Sequence, residues 1–190
     1  MKNLLCVVLL VIFLTVPTQA QKVTGESEVT VGGFAVSQYV FIDGKGYNAS
    51  FRYVFVRNGV HRLETGVGPT IHPWGTTVKW AFGPTSDSAI RMAQAVVVPV
   101  RKGAIIWIAD AKVSMCGKPH TLYQKIFIPL TAAGSVQLRL ENLLVDFPEV
   151  KSVFARLSVE VRRKLKTGYV YGAPFIDLKG GIGANMGYRF

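Results

Sequence analysis

The chain lacks the means to build a disulfide framework. Its 190 residues contain two cysteines, Cys6 and Cys116. Cys6 falls in an N-terminal segment expected to be removed, so Cys116 would stand alone and read as a small apolar filler. Acidic residues are also scarce, 11 against 22 lysines and arginines, for a net charge of +11. No run of five or more basic residues occurs. The densest cluster is Arg162-Arg163-Lys164-Leu165-Lys166. Such scattered charge reads as solubilising or as a surface for anionic partners. Nucleic acid is not an expected partner for an exported chain. After the N-terminal segment no run of 18 apolar residues exists, which excludes a membrane-spanning helix there. If the chain spans a bilayer, only a closed barrel remains, because every backbone group must pair inside lipid.

Histidine is scarce too. His61, His72 and His120 are the three present, and none sits at metal-site spacing to another His, Cys or Glu. No metal or cofactor is expected. His120 with Ser114, or His61 with Glu64, could be imagined as catalytic pairs of an outer-membrane lipid-modifying enzyme or protease. Both spacings are at chance level, so no enzymatic activity is expected. The glycine-rich Gly180-Gly181-Ile182-Gly183-Ala184 leads into an alternating segment rather than a helix, unlike a phosphate loop. Glycines that relieve crowding inside a narrow barrel explain it better. Asn48-Ala49-Ser50 is formally a glycosylation sequon, which would be accidental inside a strand.

What is present begins with Met1-Lys2-Asn3, the apolar run Leu4 to Val16 and Pro17-Thr18-Gln19-Ala20. A basic head, an apolar middle and a small residue before a cut make a secretory signal peptide. Residues 1–20 are therefore expected to be cleaved, leaving 21–190 as one domain.

Beyond Gln21 the pattern has period two and no helical period. In the last segment Phe190, Tyr188, Met186, Ala184, Ile182 and Gly180 share one face, and Arg189, Gly187, Asn185, Gly183, Gly181 and Lys179 share the other. The same alternation appears in Tyr47–Val56, Trp107–Met115, Val136–Glu141 and Val153–Arg162. Most are about 10 residues long, enough for a tilted strand to cross a bilayer, and Val136–Glu141 is a shorter stretch of six. In every case Asp110, Lys112, Arg52, Arg139, Glu141, Arg156 and Glu160 fall on the polar face. Turn signals separate the segments: Asp43-Gly44-Lys45-Gly46, Asn58-Gly59, His72-Pro73-Trp74-Gly75, Gly83-Pro84-Thr85-Ser86-Asp87, Arg101-Lys102-Gly103, Cys116-Gly117-Lys118-Pro119 and Ala132-Ala133-Gly134. The middle is least regular, since the apolar run Ala89–Val100 is continuous and Pro99 interrupts it. The expected fold is all-β, an antiparallel transmembrane β-barrel of about eight strands, with about ten as the alternative.

Two motifs carry a family resemblance. Gly46-Tyr47-Asn48-Ala49-Ser50-Phe51-Arg52-Tyr53 resembles the second-strand motif of the Ail/OmpX/PagC/Lom family of enterobacterial outer-membrane proteins. Gly187-Tyr188-Arg189-Phe190 is similar to the end of those chains. Val29–Ala35 and Gly66-Val67-Gly68-Pro69 are softer matches, and the chain departs from the pattern at Ala49-Ser50, Val54 and Asn185. The resemblance implies an eight-stranded monomeric barrel without enzymatic activity or cofactor, located in the outer membrane. It implies contact with outer-membrane lipid and lipopolysaccharide, and extracellular loops that adhere to host surfaces or matrix and confer serum resistance. Phe190, with Tyr188 and Met186, resembles the C-terminal signal read by the barrel-assembly machinery. Candidate loop residues are Lys45, Arg101, Lys102, Lys118 and His120. The competing expectation is a soluble secreted lipocalin- or sandwich-like binding protein, with its apolar faces turned into a core.

Overall fold

The structure is a computed structural model, and it describes residues 22–31, 35–56, 60–115, 120–145 and 151–190. The expected signal peptide, Gly32–Phe34, Asn58-Gly59, and the Cys116–Pro119 turn with Lys118 lie outside the described residues.

Twelve strands follow one another: β1 (Lys22–Val31), β2 (Ala35–Asp43), β3 (Tyr47–Val56), β4 (Val60–Ile71), β5 (Thr77–Pro84), β6 (Ala89–Val100), β7 (Gly103–Ser114), β8 (Thr121–Pro129), β9 (Val136–Val145), β10 (Lys151–Lys164), β11 (Tyr169–Asp177) and β12 (Ile182–Arg189). Each pairs antiparallel with its neighbours in sequence, and β12 returns to β1 to close the barrel. Closure is sealed by a reciprocal pair of backbone hydrogen bonds between Gly25 and Phe190, both 3.0 Å. Among the described residues the helical elements are Pro73–Gly75 and Ala132–Gly134, single 3-10 turns within connections.

The all-β barrel class agrees with the sequence reading, but the strand number does not. Eight strands were expected, with ten as the alternative, and the barrel has twelve. The reason is the shortness of the connections. They run from two residues, Arg101-Lys102, to six, as between Ser114 and Thr121, so little chain is spent outside the wall. Four connections, 32–34, 146–150, 165–168 and 178–181, carry none of the turn signals used above. The unclear run Ala89–Val100 is a single strand, paired with β7 along its whole length, Pro99 opposite Ala104 near the rim. A proline there forfeits at most one ladder bond.

Residues opposite one another in a ladder share a face, and register therefore fixes two environments. Glu28 faces Gly187 and Thr30 faces Asn185 across the closing seam. Arg91 is opposite Lys112, Tyr39 opposite Arg52, and Ser158 opposite Arg139. All of these point inward. The largest fully enclosed side chains are Arg91, Arg139, Glu160 and Asn185, while Leu157, Val161, Ile176, Ile182 and Met186 are exposed on the outside. The barrel is thus inverted relative to a water-soluble one.

A wider barrel encloses more space, and here long side chains fill it. Glycines on β12 make room for them. A Cβ on Gly187 would lie 2.5 Å from the Tyr171 hydroxyl and from the Ser27 carbonyl, and one on Gly183 would lie 2.5 Å from the Phe175 ring.

Candidate functional site

The charged interior is the candidate site, and its geometry follows from alternation on the strands that contribute to it. Inward positions of β2, β3, β4, β6 and β7 build one cluster. Arg91 holds Asp110 through Nε at 2.9 Å and Nη2 at 2.7 Å, and donates from Nη1 to Ser50 Oγ at 3.0 Å. Arg91 Nη2 also donates to the Tyr39 hydroxyl, which in turn donates to Asp110 at 3.1 Å. Arg52 lies between Glu64 (3.4 Å) and Asp110 (3.5 Å), with its guanidinium 5.4 Å from the ring centres of both Tyr39 and Tyr123. Arg62 Nε completes the cluster on Glu64 at 2.6 Å.

A second cluster joins β1, β8, β9, β10, β11 and β12. Arg139 is 0 % exposed and meets Glu28 at 2.5 Å, Glu141 at 2.5 Å and Glu160 at 3.4 Å. Lys125 approaches Glu141 at 3.3 Å. Arg189 joins Glu160 and Glu26, each at 3.0 Å, and Arg162 and Gln137 also donate to Glu160. Tyr171 donates to Glu26 and Glu28, Tyr123 to Glu141 at 2.7 Å, and Asn185 to Glu141 at 3.3 Å. The Glu28–Arg139 and Tyr39–Asp110 contacts link strands well separated around the wall, so both clusters cross the lumen. Close pairing is the condition under which buried ions are tolerable, and it is met by most of these groups, while Nε of Arg52, Arg62 and Arg139 stays buried without a hydrogen bond.

At the mouth away from Lys22 and Phe190, a cavity of about 360 Å³ opens above these clusters, lined by Arg52, Arg62, Lys112, Arg156, Glu64 and Tyr123. Arg156 is sandwiched there between Phe154 and Phe175, 4.1 and 4.3 Å from the ring centres. In the turn at this mouth Asp87 accepts from Lys112 Nζ at 2.5 Å and from Thr85 Oγ1 at 2.6 Å. Burial by itself would raise the Asp87 carboxyl, but these two hydrogen bonds together with the charges of Lys112 and Arg62 outweigh it and hold the group below its ordinary value.

The interior is nearly balanced in charge, which leaves the excess of cations on the rims. Lys45, Arg101, Lys102, Lys164 and Lys166 are all exposed at the end that carries Lys22 and Phe190. His120 lies at the opposite end and accepts the Ser114 backbone N–H on Nδ1 at 3.1 Å. The candidate loop residues are therefore divided between the two mouths.

The other residues singled out in the sequence have these places. Gly46 forms the β2–β3 turn at φ 81°. Tyr47, Phe51 and Tyr53 point outward, and Asn48 and Arg52 inward. Asn48 is 3 % exposed and its Nδ2 lies within 3.2 Å of the carbonyls of Gly68, Pro69 and Trp80 and within 3.1 Å of Thr70 Oγ1. It bridges β4 and β5 beside Pro69, which has no N–H of its own to offer. Met186, Tyr188 and Phe190 share the outward face of β12, the last two rings stacked 6.0 Å apart. Glu64, imagined as a partner of His61, is held by Arg62 and Arg52, and the His61 side chain lies outside the described residues. Glu26, Glu28, Tyr39, Arg91, Lys125 and Tyr171 were not singled out by sequence. Their only signal was inward parity on strands whose limits were unclear.

No protein-family model and no curated protein matches the chain. Among solved structures the chain is similar to the crystal structure of the Acinetobacter baumannii outer membrane protein Omp33, at 15% sequence identity and a TM-score of 0.49, with 88% of this chain and 96% of that chain covered.

Proposed function

We propose that this chain is a non-enzymatic integral β-barrel of the outer membrane, and that its lumen is a narrow, charge-lined passage for small polar solutes held closed by its two ion-paired clusters. One observation carries this reading: a closed barrel with arginine and glutamate sealed inside and leucine, isoleucine and valine exposed around the outside. In water such an outer surface would far exceed the apolar patches that soluble proteins carry, which weighs against the soluble lipocalin- or sandwich-like reading. In lipid it is the arrangement a barrel requires. The aromatic outward face of Tyr188 and Phe190 on the closing strand suits an interfacial position and a signal for the barrel-assembly machinery.

Adhesion to host surfaces or serum resistance would have to rest on connections of six residues or fewer. The loops are thus too short for extended display, and the lumen is the better-supported working part.

The test is reconstitution of the purified chain in liposomes, with conductance and sugar-permeation measurements on the natural chain and on Arg91→Ala. Measurable passage that rises in the variant supports the proposal. A tight wall in both, with the barrel folded, would overturn the passage and leave a purely structural role.

A further inference from the structure

The outward face is mostly apolar, broken by Ser27 and Gln38 on β1 and β2, by Thr65 on β4, by Arg163 near the rim of β10, and by one longer row. Ladder pairs connect Trp80 on β5 to Gln94 on β6, Gln94 to Ala109 on β7, Ala109 to Gln124 on β8, Gln124 to Asn142 on β9, and Asn142 to Ala155 on β10. Three amides and two alanines therefore interrupt the wall where branched apolar side chains would otherwise stand. Neither glutamine has a side-chain hydrogen bond among the described residues, and Asn142 Oδ1 is buried with no partner. Beside them a groove of about 390 Å³ runs over Gln124, Asn142 and Ala155, walled by Ile126, Leu140 and Leu157. In hydrocarbon an amide without a partner is unfavourable, and small residues with amides are what associating membrane elements use to approach and hydrogen-bond.

We infer that this row is the seam of a homodimer within the membrane. The inference rests on the membrane-barrel reading above and replaces the monomer expected from sequence. Two features select a second copy as the occupant. An amide is both donor and acceptor, so the row is self-complementary, as a two-fold interface demands. Gln124 lies three residues from the Thr121 end of β8 and Asn142 three residues from the Val145 end of β9, both ends at the same mouth. Two copies inserted in the same direction are related by an axis along the membrane normal, which pairs side chains of equal depth. Gln124 of one copy then meets Asn142 of the other, twice.

The experiment uses the full-length chain carrying Cys6→Ser and Cys116→Ser, with Ile126→Cys beside the seam or Val29→Cys on the far wall as reporters. A short bis-maleimide is applied to intact membranes, and every sample is run with and without boiling. The expected result is a crosslinked dimer from the Ile126→Cys chain and none from the Val29→Cys chain. Adding Gln124→Leu and Asn142→Leu should lower association by about tenfold, since two interhelical-type amide pairs are lost in lipid. Exchanging the amides, Gln124→Asn with Asn142→Gln, should retain the dimer. Equal crosslinking at both reporters, none at Ile126→Cys, or a yield indifferent to the leucines would overturn the seam. So would native mass spectrometry showing a monomer with a lipid retained in the groove. Loss of the boiling-dependent shift in the parent chain would instead count against the membrane barrel itself.

Discussion

Arg139 shows how much a single residue can hold. It has no exposure, and three carboxylates, Glu28, Glu141 and Glu160, converge on its guanidinium. Arg139→Leu removes the cation and leaves those carboxylates enclosed without it. Breaking one side of a buried ionic set costs about 3–5 kcal/mol, so urea unfolding in detergent should show a loss of that order. Arg139→Lys should recover part of it, because an ammonium lacks the planar fork that reaches several carboxylates. At the mouth, Asp87 gives a pH-dependent effect. Its carboxyl is depressed in the folded chain, so its contribution is present above its unfolded value of about 4 and is lost as pH falls through the lower folded value. Asp87→Asn should be less stable than the natural chain near neutrality, and thermal melts of the two should converge in acid. These residue roles were only partly legible. The alternation placed Arg52, Arg139, Glu141 and Glu160 inside, but nothing in their spacing says that Arg139 meets Glu28, which lies far away in the chain.

Within an element, facing decides the outcome of a substitution. On β10, Leu157 is 44% exposed on the outer wall between Leu140 and Ile176, while neighbouring Arg156 points inward between two aromatic rings. A cation at an outward mid-wall position costs roughly 2–4 kcal/mol, so Leu157→Arg should block assembly. Arg156→Leu loses ring contacts and a 3.6 Å approach to Asp177, and should be milder. Equal yields of the two variants in the membrane fraction would count against this facing. Strands such as β3, β7, β9, β10 and β12 were readable because one face is apolar and the other is charged or small. β6 was not, because Val96, Val97 and Val98 run together although Val97 faces in and its neighbours face out. A lumen residue near the rim can be apolar, and the period then vanishes.

At the scale of the whole molecule, the barrel exists only if its first and last strands meet. β12 supplies the partner for both β1 and β11. Deleting residues 182–190 would leave two rows of backbone groups unpaired, which the hydrocarbon region does not tolerate. The truncated chain should show no boiling-dependent mobility shift on SDS gels and should vanish from the outer-membrane fraction. The strand number belongs to this scale too. The Ail/OmpX-like motifs implied eight, and twelve were found, because motif and alternation describe a strand and its faces but not how many strands lie between.

By itself the sequence determined the all-β class, the facing of the regular strands and the polar character of the interior, since these follow from period-two alternation that any closed sheet must obey. Only the tertiary structure decided the twelve-strand closure, the two lumen-crossing clusters and the alignment of three outward amides in one row. Each depends on register between strands remote in the chain, and register is set by the ladder as a whole rather than by any one segment.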